Sequence, residues 1–418
     1  MSLRTWIGKV FGRASLENPS TTLSDPDVWL YDAFSGGSKS DSGVRVGYKQ
    51  ALMYAAVWRG VNLISRDVAK IPLNVYVRLP DGGKERATAH PAYKLLRRQP
   101  SPYIKAFDLK QTLQAHVLLC GNGYAYVYRD GAGTPIELLP LNPMATYPKR
   151  DPDGRVWYVT RLTTGEERKL AAENVLHVRG LGFDGLQGYD VVTYARNTLG
   201  LGLAMQKFGA KFFNNGAAMN VVIKRPADAP PWSEETKANF RSSWAKMHEG
   251  LENSHRTALL EDGMEAVVLA IDAKRAQLAE MRAFELREIA NVLGVPPHKL
   301  GDTTRTAYAS LEQENQAYLD EALDGWLCQW EEECGAKLLT EKERNADTHF
   351  VEFQRDALVR VDLRTQVDVL VTEVNNGLLS LDEARAIRNR PALPNGLGAG
   401  YRIPANILQL GADEPKGL

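Results

Sequence analysis

FELREIANVLGVPPHKLGDTTRTAYASLEQENQAYLDEALDGWL, residues 284–327, decides how this chain is read. A helical pattern over 272–293, with Leu278, Met281, Ile289 and Leu293 on one side, runs into Gly294 and then Pro296 and Pro297. Neither proline continues a helix, because the ring removes a backbone donor and clashes one turn back. The polar segment His298 to Tyr308 follows, with Lys299 and Arg305 against one acid, Asp302, and three threonines. A second helical pattern then starts at once. Leu319, Leu323, Trp326, Trp330, Cys334 and Leu338 give it an apolar stripe, its other faces are acidic, and about thirty residues make it roughly 45 Å long. Ser310 and Gln313 are spaced for a capping box. Hydroxyls and isolated cations suit fleeting contact with phosphate, yet one copy supplies too few for firm binding. The loop therefore reads either as a plain solvated connector or, if many copies face a common axis, as a ring of cations.

Outward from that stretch lies a second long helix, at about 191–213. Leu201, Ala204, Met205, Phe208 and Phe212 form its stripe, and Asn214, Asn215 and Gly216 end it. Between the two helices MNVVIKR reads as a strand and PADAPPW as a stiff connector. A helix capped by Ser233 runs to about Glu249, and TALLED and MEAVVLAI read as strands. The ends of this β-α-β insertion must be close, because the flanking helices lead away and return. That is a knob on a two-helix stalk.

The chain before residue 190 reads as an α+β unit with antiparallel pairing. A helix from Leu52 carries Tyr54, Val57, Trp58, Val61 and Ile64, and LNVYVRL alternates as a strand before an Asp81-Gly82 turn. HPAYKLLRRQPSPYI is a short helix, and another spans Leu109 to Leu119. GNGYAYVYRD is a strand with Tyr124, Tyr126 and Tyr128 on one face; IELLPLNP, YVTRL and NVLHVRG continue as short strands. Residues 14–46, rich in Ser, Gly, Asp and Pro, read as flexible. Beyond 340, FVEFQRDALV is a strand, followed by one helix ending at Asn376-Gly377 and another capped by Ser380. The last twenty residues read as a tail.

The totals narrow the function classes. A chain of 418 residues calls for two or three folding units. Its 51 basic and 51 acidic side chains cancel, unlike the basic excess of a protein that grips nucleic acid through many phosphates. Cys120, Cys328 and Cys334 have no paired spacing and read as reduced thiols. No apolar run is long enough for a transmembrane helix. MSLRTWIGKVFGR lacks a continuous apolar run and reads as a frayed arm or a short amphipathic helix rather than a signal peptide. GLGFDG, residues 180–185, matches a dinucleotide fingerprint in letters only, because Leu186, Gln187 and Gly188 delay the helix and no acid follows near residue 205. No P-loop, H-E-x-x-H, EF-hand, C-x-x-C or G-x-S-x-G motif occurs, and the histidines are scattered. No catalytic residue, metal ligand or cofactor is expected. The competing reading is a metal-dependent nuclease or transferase on an α+β scaffold, with Asp184 and Asp190 as paired carboxylates.

HPAYKLLRRQPSPY, GNGYAYVYRD, IELLPLNP, NVLHVRGLGFDGLQGYD, FGAKFFNNGA, IANVLGVPPHKLGD and YASLEQENQAYLDEALDGWLCQWEEECGAKLL, in that order over about residues 50–395, resemble the HK97-type family of tailed-bacteriophage portal proteins. One departure is GLQGYDVV, where many relatives have a Ser-Pro pair. The resemblance implies a portal-protein fold assembled as a dodecameric ring at one capsid vertex, with double-stranded DNA passing through its channel. It implies a flexible arm at 1–46, a wing at 47–190, a first stem helix at 191–216 and a clip at 217–271. A second stem helix would follow at 272–295, then a tunnel loop at 296–309. The wing helix and strand would span 310–360, the crown helices 361–395 and the tail 396–418. Lys299, Thr303, Thr304 and Arg305 would line the narrowest part, with Glu280, Glu285 or Glu288 nearby. Lys224, Arg225, Trp232, Glu249 and His255 would serve docking on the clip. The implied partners are further copies of the chain, the large terminase subunit, a head-tail adaptor, the major capsid protein and scaffold, and no membrane. The protein itself would not be an enzyme, ATP hydrolysis belonging to the motor. It would reside at the portal vertex of the virion, and in host cytoplasm during assembly.

Overall fold

The structure, a computed structural model, describes residues 38–162, 164–214, 221–226, 228–248, 260, 263–268, 272–302, 316–355, 363–388 and 390–401. Ser38–Lys39 (β1) and Arg45–Val46 (β2) pair antiparallel, so residues 38–46 are a hairpin where composition predicts flexible chain. Ser40 in its turn is buried, and a Cβ on Gly200 would come within 2.1 Å of the Ser40 hydroxyl. The hairpin is thus seated on the helix at 196–214, a contact that composition does not encode. Tyr48–Met53 (α1) and Ala55–Lys70 (α2) are separate helices, because Tyr54 adopts extended backbone (φ −82°, ψ 118°) between them. Val57, Val61, Ile64 and Val68 form the buried face of α2, whereas Trp58, part of the predicted stripe, is 59% exposed.

The α+β unit that follows is built as its alternation predicts. Leu73–Arg78 (β3) and Lys84–Arg86 (β4) pair across the Asp81-Gly82 turn. Pro91–Arg97 (α3) starts at His90, whose Nδ1 accepts the Ala92 amide, and Ala106–Cys120 (α4) stops at Gly121, which is left-handed at φ 72°. Asn122–Arg129 (β5), Pro135–Leu141 (β6), Thr146–Arg150 (β7), Val156–Arg161 (β8), Glu167–Ala171 (β9) and Val175–Arg179 (β10) complete the strands. They form two antiparallel sheets, ordered β10-β5-β6 and β7-β8-β9. Tyr124, Leu141, Tyr158, Leu170 and Val175 close a core where these sheets meet, and Tyr126 packs against it. By the usual area scale such large side chains stabilise by about 1.5–3 kcal/mol each when fully buried.

Val191–Tyr194 (α5), capped by the Asp190 carboxylate, passes through Ala195 into Arg196–Asn214 (α6). Val221–Lys224 (β11), Glu234–His248 (α7) and Glu265–Val268 (β12) form the insertion. Its end strands pair antiparallel from Val221↔Val268 to Lys224↔Glu265, so the knob closes on itself as the stalk geometry requires. The helix Asp272–Leu293 (α8) returns alongside α6.

After Pro297–Leu300 (α9), a π-helical turn at Tyr318–Leu323 leads into Asp324–Leu338 (α10). The wider turn keeps four-residue spacing in line, so Leu319, Leu323 and Leu327 stack inward. Trp326, predicted in that stripe, sits at the flank beside Gly180 instead. Trp330, Cys334 and Leu338 are buried as expected, and the Trp330 indole donates to Gln114 Oε1 at 2.9 Å. Ser310 and Gln313 lie outside the described residues. Glu341–Asn345 (α11) leads to His349–Phe353 (β13), which joins β3 and β4 in a third sheet.

Residues from Arg355 onward form a second unit. Leu363–Asn375 (α12) ends at Asn376-Gly377, and Leu381–Ile387 (α13) is opened by a capping box between Ser380 and Glu383.

Candidate functional site

The junction at the end of α8 is shaped by its glycines and prolines. The Val295 amide donates back to Ala290 O at 2.9 Å over a left-handed Gly294, which closes the helix end. Pro296 is then the N-cap of α9 and Pro297 its first residue, a position where the missing N–H has no helical partner anyway. So the two prolines end one helix and also begin a one-turn helix, which stops at left-handed Gly301. Leu300 is buried against α2, and Arg59 of α2 donates through Nε to Lys299 O at 2.6 Å. Arg287 pairs with Asp302 at 2.9 Å, fixing the far side of the turn to α8.

Lys299 is therefore carried on a docked turn. Its ammonium lies 5.0 Å from the Tyr318 ring centroid, a cation–π distance, and the Tyr318 hydroxyl donates to Asp67 Oδ2 at 3.2 Å. Burial first, and the Asp67 carboxylate second, push the Tyr318 hydroxyl above its ordinary pKa. Thr303, Thr304 and Arg305 lie outside the described residues. The chain leaves the described part at Asp302 and returns at Gln316.

The three acids of α8 expected near the loop differ in environment. Glu280 is exposed and Glu288 half-buried, but Glu285 is 1% exposed, so it does not face an open lumen as expected. Tyr54 explains its position. The Tyr54 ring would lie 3.0 Å from a Cβ on Gly202 of α6, and burial first, then the Glu285 charge, raise the Tyr54 pKa. The ring thus sits against α6, with the Glu285 charge near it. Burial and then Glu288 raise the Glu285 pKa in turn. Sequence periodicity missed this because the helix break at Tyr54 and the small residue at Gly202 act on it from distant segments.

On the knob, Lys224 is exposed at the end of β11. Arg225 and Trp232 are brought together: the guanidinium stacks 4.4 Å over the indole and donates to Pro230 O at 2.9 Å. Phe240 and Trp244 extend the row at centroid spacings of 5.1 and 6.0 Å. Glu249 and His255 lie outside the described residues.

The carboxylates of the competing reading are both engaged locally. Asp184 accepts the Leu186 and Gln187 amides, which lowers its pKa. Asp190 accepts from Tyr48, Thr193 N and Thr193 Oγ1 at 2.5–3.2 Å. Among the described residues no group of three His, Cys, Asp or Glu is placed to hold a metal ion, and no helix is long and apolar enough to cross a membrane. The glycine-rich loop is likewise structural. A Cβ on Gly188 would meet Gly121 O at 2.1 Å, and one on Gly182 would meet Gln187 O at the same distance.

The order of elements has counterparts among known proteins. The chain is 31% identical to a probable portal protein of Streptomyces phage phiC31, over 97% of this chain and 90% of that one. Its fold matches the crystal structure of an HK97-family phage portal protein from Corynebacterium diphtheriae with a TM-score of 0.55 and 18% identity, covering 74% of this chain and 95% of that one. It also matches a chain in the neck of a native gene transfer agent particle computed with C12 symmetry, with a TM-score of 0.54, 19% identity, and coverage of 86% and 98%. The family model for phage portal protein spans residues 55–389, and together with the phiC31 relative it shows that the chain belongs to the phage portal protein family.

Proposed function

We propose that twelve copies assemble as a ring at one vertex of a phage capsid, forming the passage for double-stranded DNA during packaging and ejection. The observation that carries this reading is the stalk. Two antiparallel helices, α6 and α8, hold out a knob whose end strands pair with each other, and a docked proline turn sits at the base of α8. The C12 symmetry of the related neck supports the copy number. In this reading residues 47–190 and 310–360 are the wing, α6 and α8 the stem, 217–271 the clip, 296–309 the tunnel loop and 361–395 the crown. The clip is the docking face for the large terminase subunit and later the head-tail adaptor, while the major capsid protein and scaffold meet the ring during assembly in host cytoplasm. The chain supplies shape and charge, and the motor hydrolyses ATP. Mass measurement with negative-stain imaging of the purified protein tests this: rings of twelve with a central hole are expected, and a compact monomer at all concentrations sinks the reading.

A further inference from the structure

The arm before the hairpin is polar except at one place. Residues 14–38 hold four acids and no base, yet DVWLYDAF, residues 27–34, brings Val28, Trp29, Leu30, Tyr31 and Phe34 together. A run of large apolar side chains, in a stretch otherwise rich in Ser, Gly, Asp and Pro, has nothing nearby in sequence to bury it.

Among the described residues the fold leaves a matching groove open. It lies between α2 and α4, with Leu52 of α1 also in its wall, and has a volume of about 360 Å³. Trp58, Val61, Ala115 and Leu119 make its sides apolar. Trp58 is exposed to 59% and Met53, beside Leu52, to 63%. From Asp108 to Leu119 the groove follows α4 for about 16 Å. Gln111 Nε2 donates to Asn62 Oδ1 at 3.3 Å, and burial lowers the His116 pKa to about 4, so that imidazole is neutral. Asp108 is the one charged residue in the wall, with exposed Arg66 one turn past Asn62 and exposed Lys105 one turn before Asp108. Arg59, next to Trp58, is taken by Lys299 O. That rim is positive by one, and residues 27–34 bring Asp27 and Asp32.

Chain length allows the run to reach the groove. Ser38 pairs with Val46, six residues before Leu52. Two extended steps and four helical ones put Leu52 within about 13 Å of Val46, and so within about 19 Å of Ser38. Residues 30–34 precede Ser38 by four to eight positions, a reach of about 14–28 Å.

We infer that Trp29, Leu30 and their neighbours in 27–34 fill the groove between α2 and α4 of their own chain, pinning the arm to the α+β unit just ahead of the hairpin. The contact forms within a single chain and does not depend on the ring reading.

Two measurements on the full-length chain test it. With Trp58→p-benzoylphenylalanine, irradiation and mass spectrometry should join residue 58 to a peptide containing residues 27–34. In an equimolar mixture of light and isotopically heavy chains, the joined peptides should be all light or all heavy. Separately, Trp29→Ser/Leu30→Ser should speed hydrogen exchange at residues 52–62 and 108–119 by about threefold or more, whereas Trp6→Ser/Phe11→Ser should not. A cross-link to residues 1–13, to a second copy or to nothing in the chain overturns the inference. So does exchange that the Trp29/Leu30 variant leaves unchanged, or that both variants speed alike.

Discussion

His177 is buried, with both ring nitrogens occupied. Asn122 donates its amide protons to Gly188 O and Cys120 O, so its Oδ1 is the acceptor that faces His177 Nε2 at 3.0 Å. Nε2 therefore carries the proton, and Nδ1 accepts from the Tyr158 hydroxyl at 3.1 Å. A second proton would have to displace that donor inside the core. Burial first, then Arg179 and Lys337, lower the His177 pKa to about 3. Because the folded pKa lies below the unfolded one, the unfolded chain binds the extra proton first as pH falls. Stability is thus unaffected above about pH 6.5 and declines from there toward pH 3, by about 1.4 kcal/mol per pH unit for this one group. His177→Gln should cost about 1–2 kcal/mol at pH 7 and reduce the slope of stability against pH between 6 and 4 by about one proton, read from urea unfolding. His116, lowered by burial to about 4, contributes to the slope that remains in the same direction.

Between residue and whole chain, the loop after β10 shows how an element is fixed by close approach. Gly121 ends α4 in a left-handed conformation, and its carbonyl accepts the Gly180 amide at 2.8 Å, while Gly188 crosses directly over it. Gly188→Ala would force backbone against backbone and should destabilise the unit by about 2–4 kcal/mol, whereas Gly185→Ala meets open space and carries only the left-handed penalty of about 1 kcal/mol. Thermal unfolding of the two variants separates these outcomes. The same contrast marks what the sequence could show. The Asp81-Gly82 turn, the Ser380 cap and the proline stop at 296–297 are written in neighbouring residues, and each stands where local chemistry places it. The break at Tyr54, the seating of Ser40 on Gly200, the burial of Glu285 and the exchange of Trp326 for Leu327 are set by contacts between distant segments or by one widened helical turn. Of the candidate site residues, Arg225 and Trp232 prove to be each other's partners, which no spacing rule predicts for positions seven apart across a proline-rich connector.

At the scale of the assembly, the charge total becomes informative. A chain with 51 bases and 51 acids offers DNA no general attraction, and a passage must let the duplex slide. Repetition then decides the effect of single cations, since one lysine per copy becomes twelve around an axis in a dodecamer. Lys299 suits this role because its fold contacts and its charge are separable. Its carbonyl accepts from Arg59 and its ammonium lies over the Tyr318 ring, so truncation to alanine keeps the backbone anchor. A Lys299→Ala/Arg305→Ala variant should form rings at the same concentration as the parent chain, because the backbone anchor of the turn on Arg59 is untouched. Its particles should package less DNA or retain it less well, and the salt dependence of that retention should weaken, since fewer phosphate contacts release fewer counterions. Nuclease-protected DNA per particle, measured at two ionic strengths beside ring counts by electron microscopy, gives both readouts. Loss of rings in this variant would make the turn a structural joint only; unchanged packaging with intact rings would remove Lys299 and Arg305 from the channel wall.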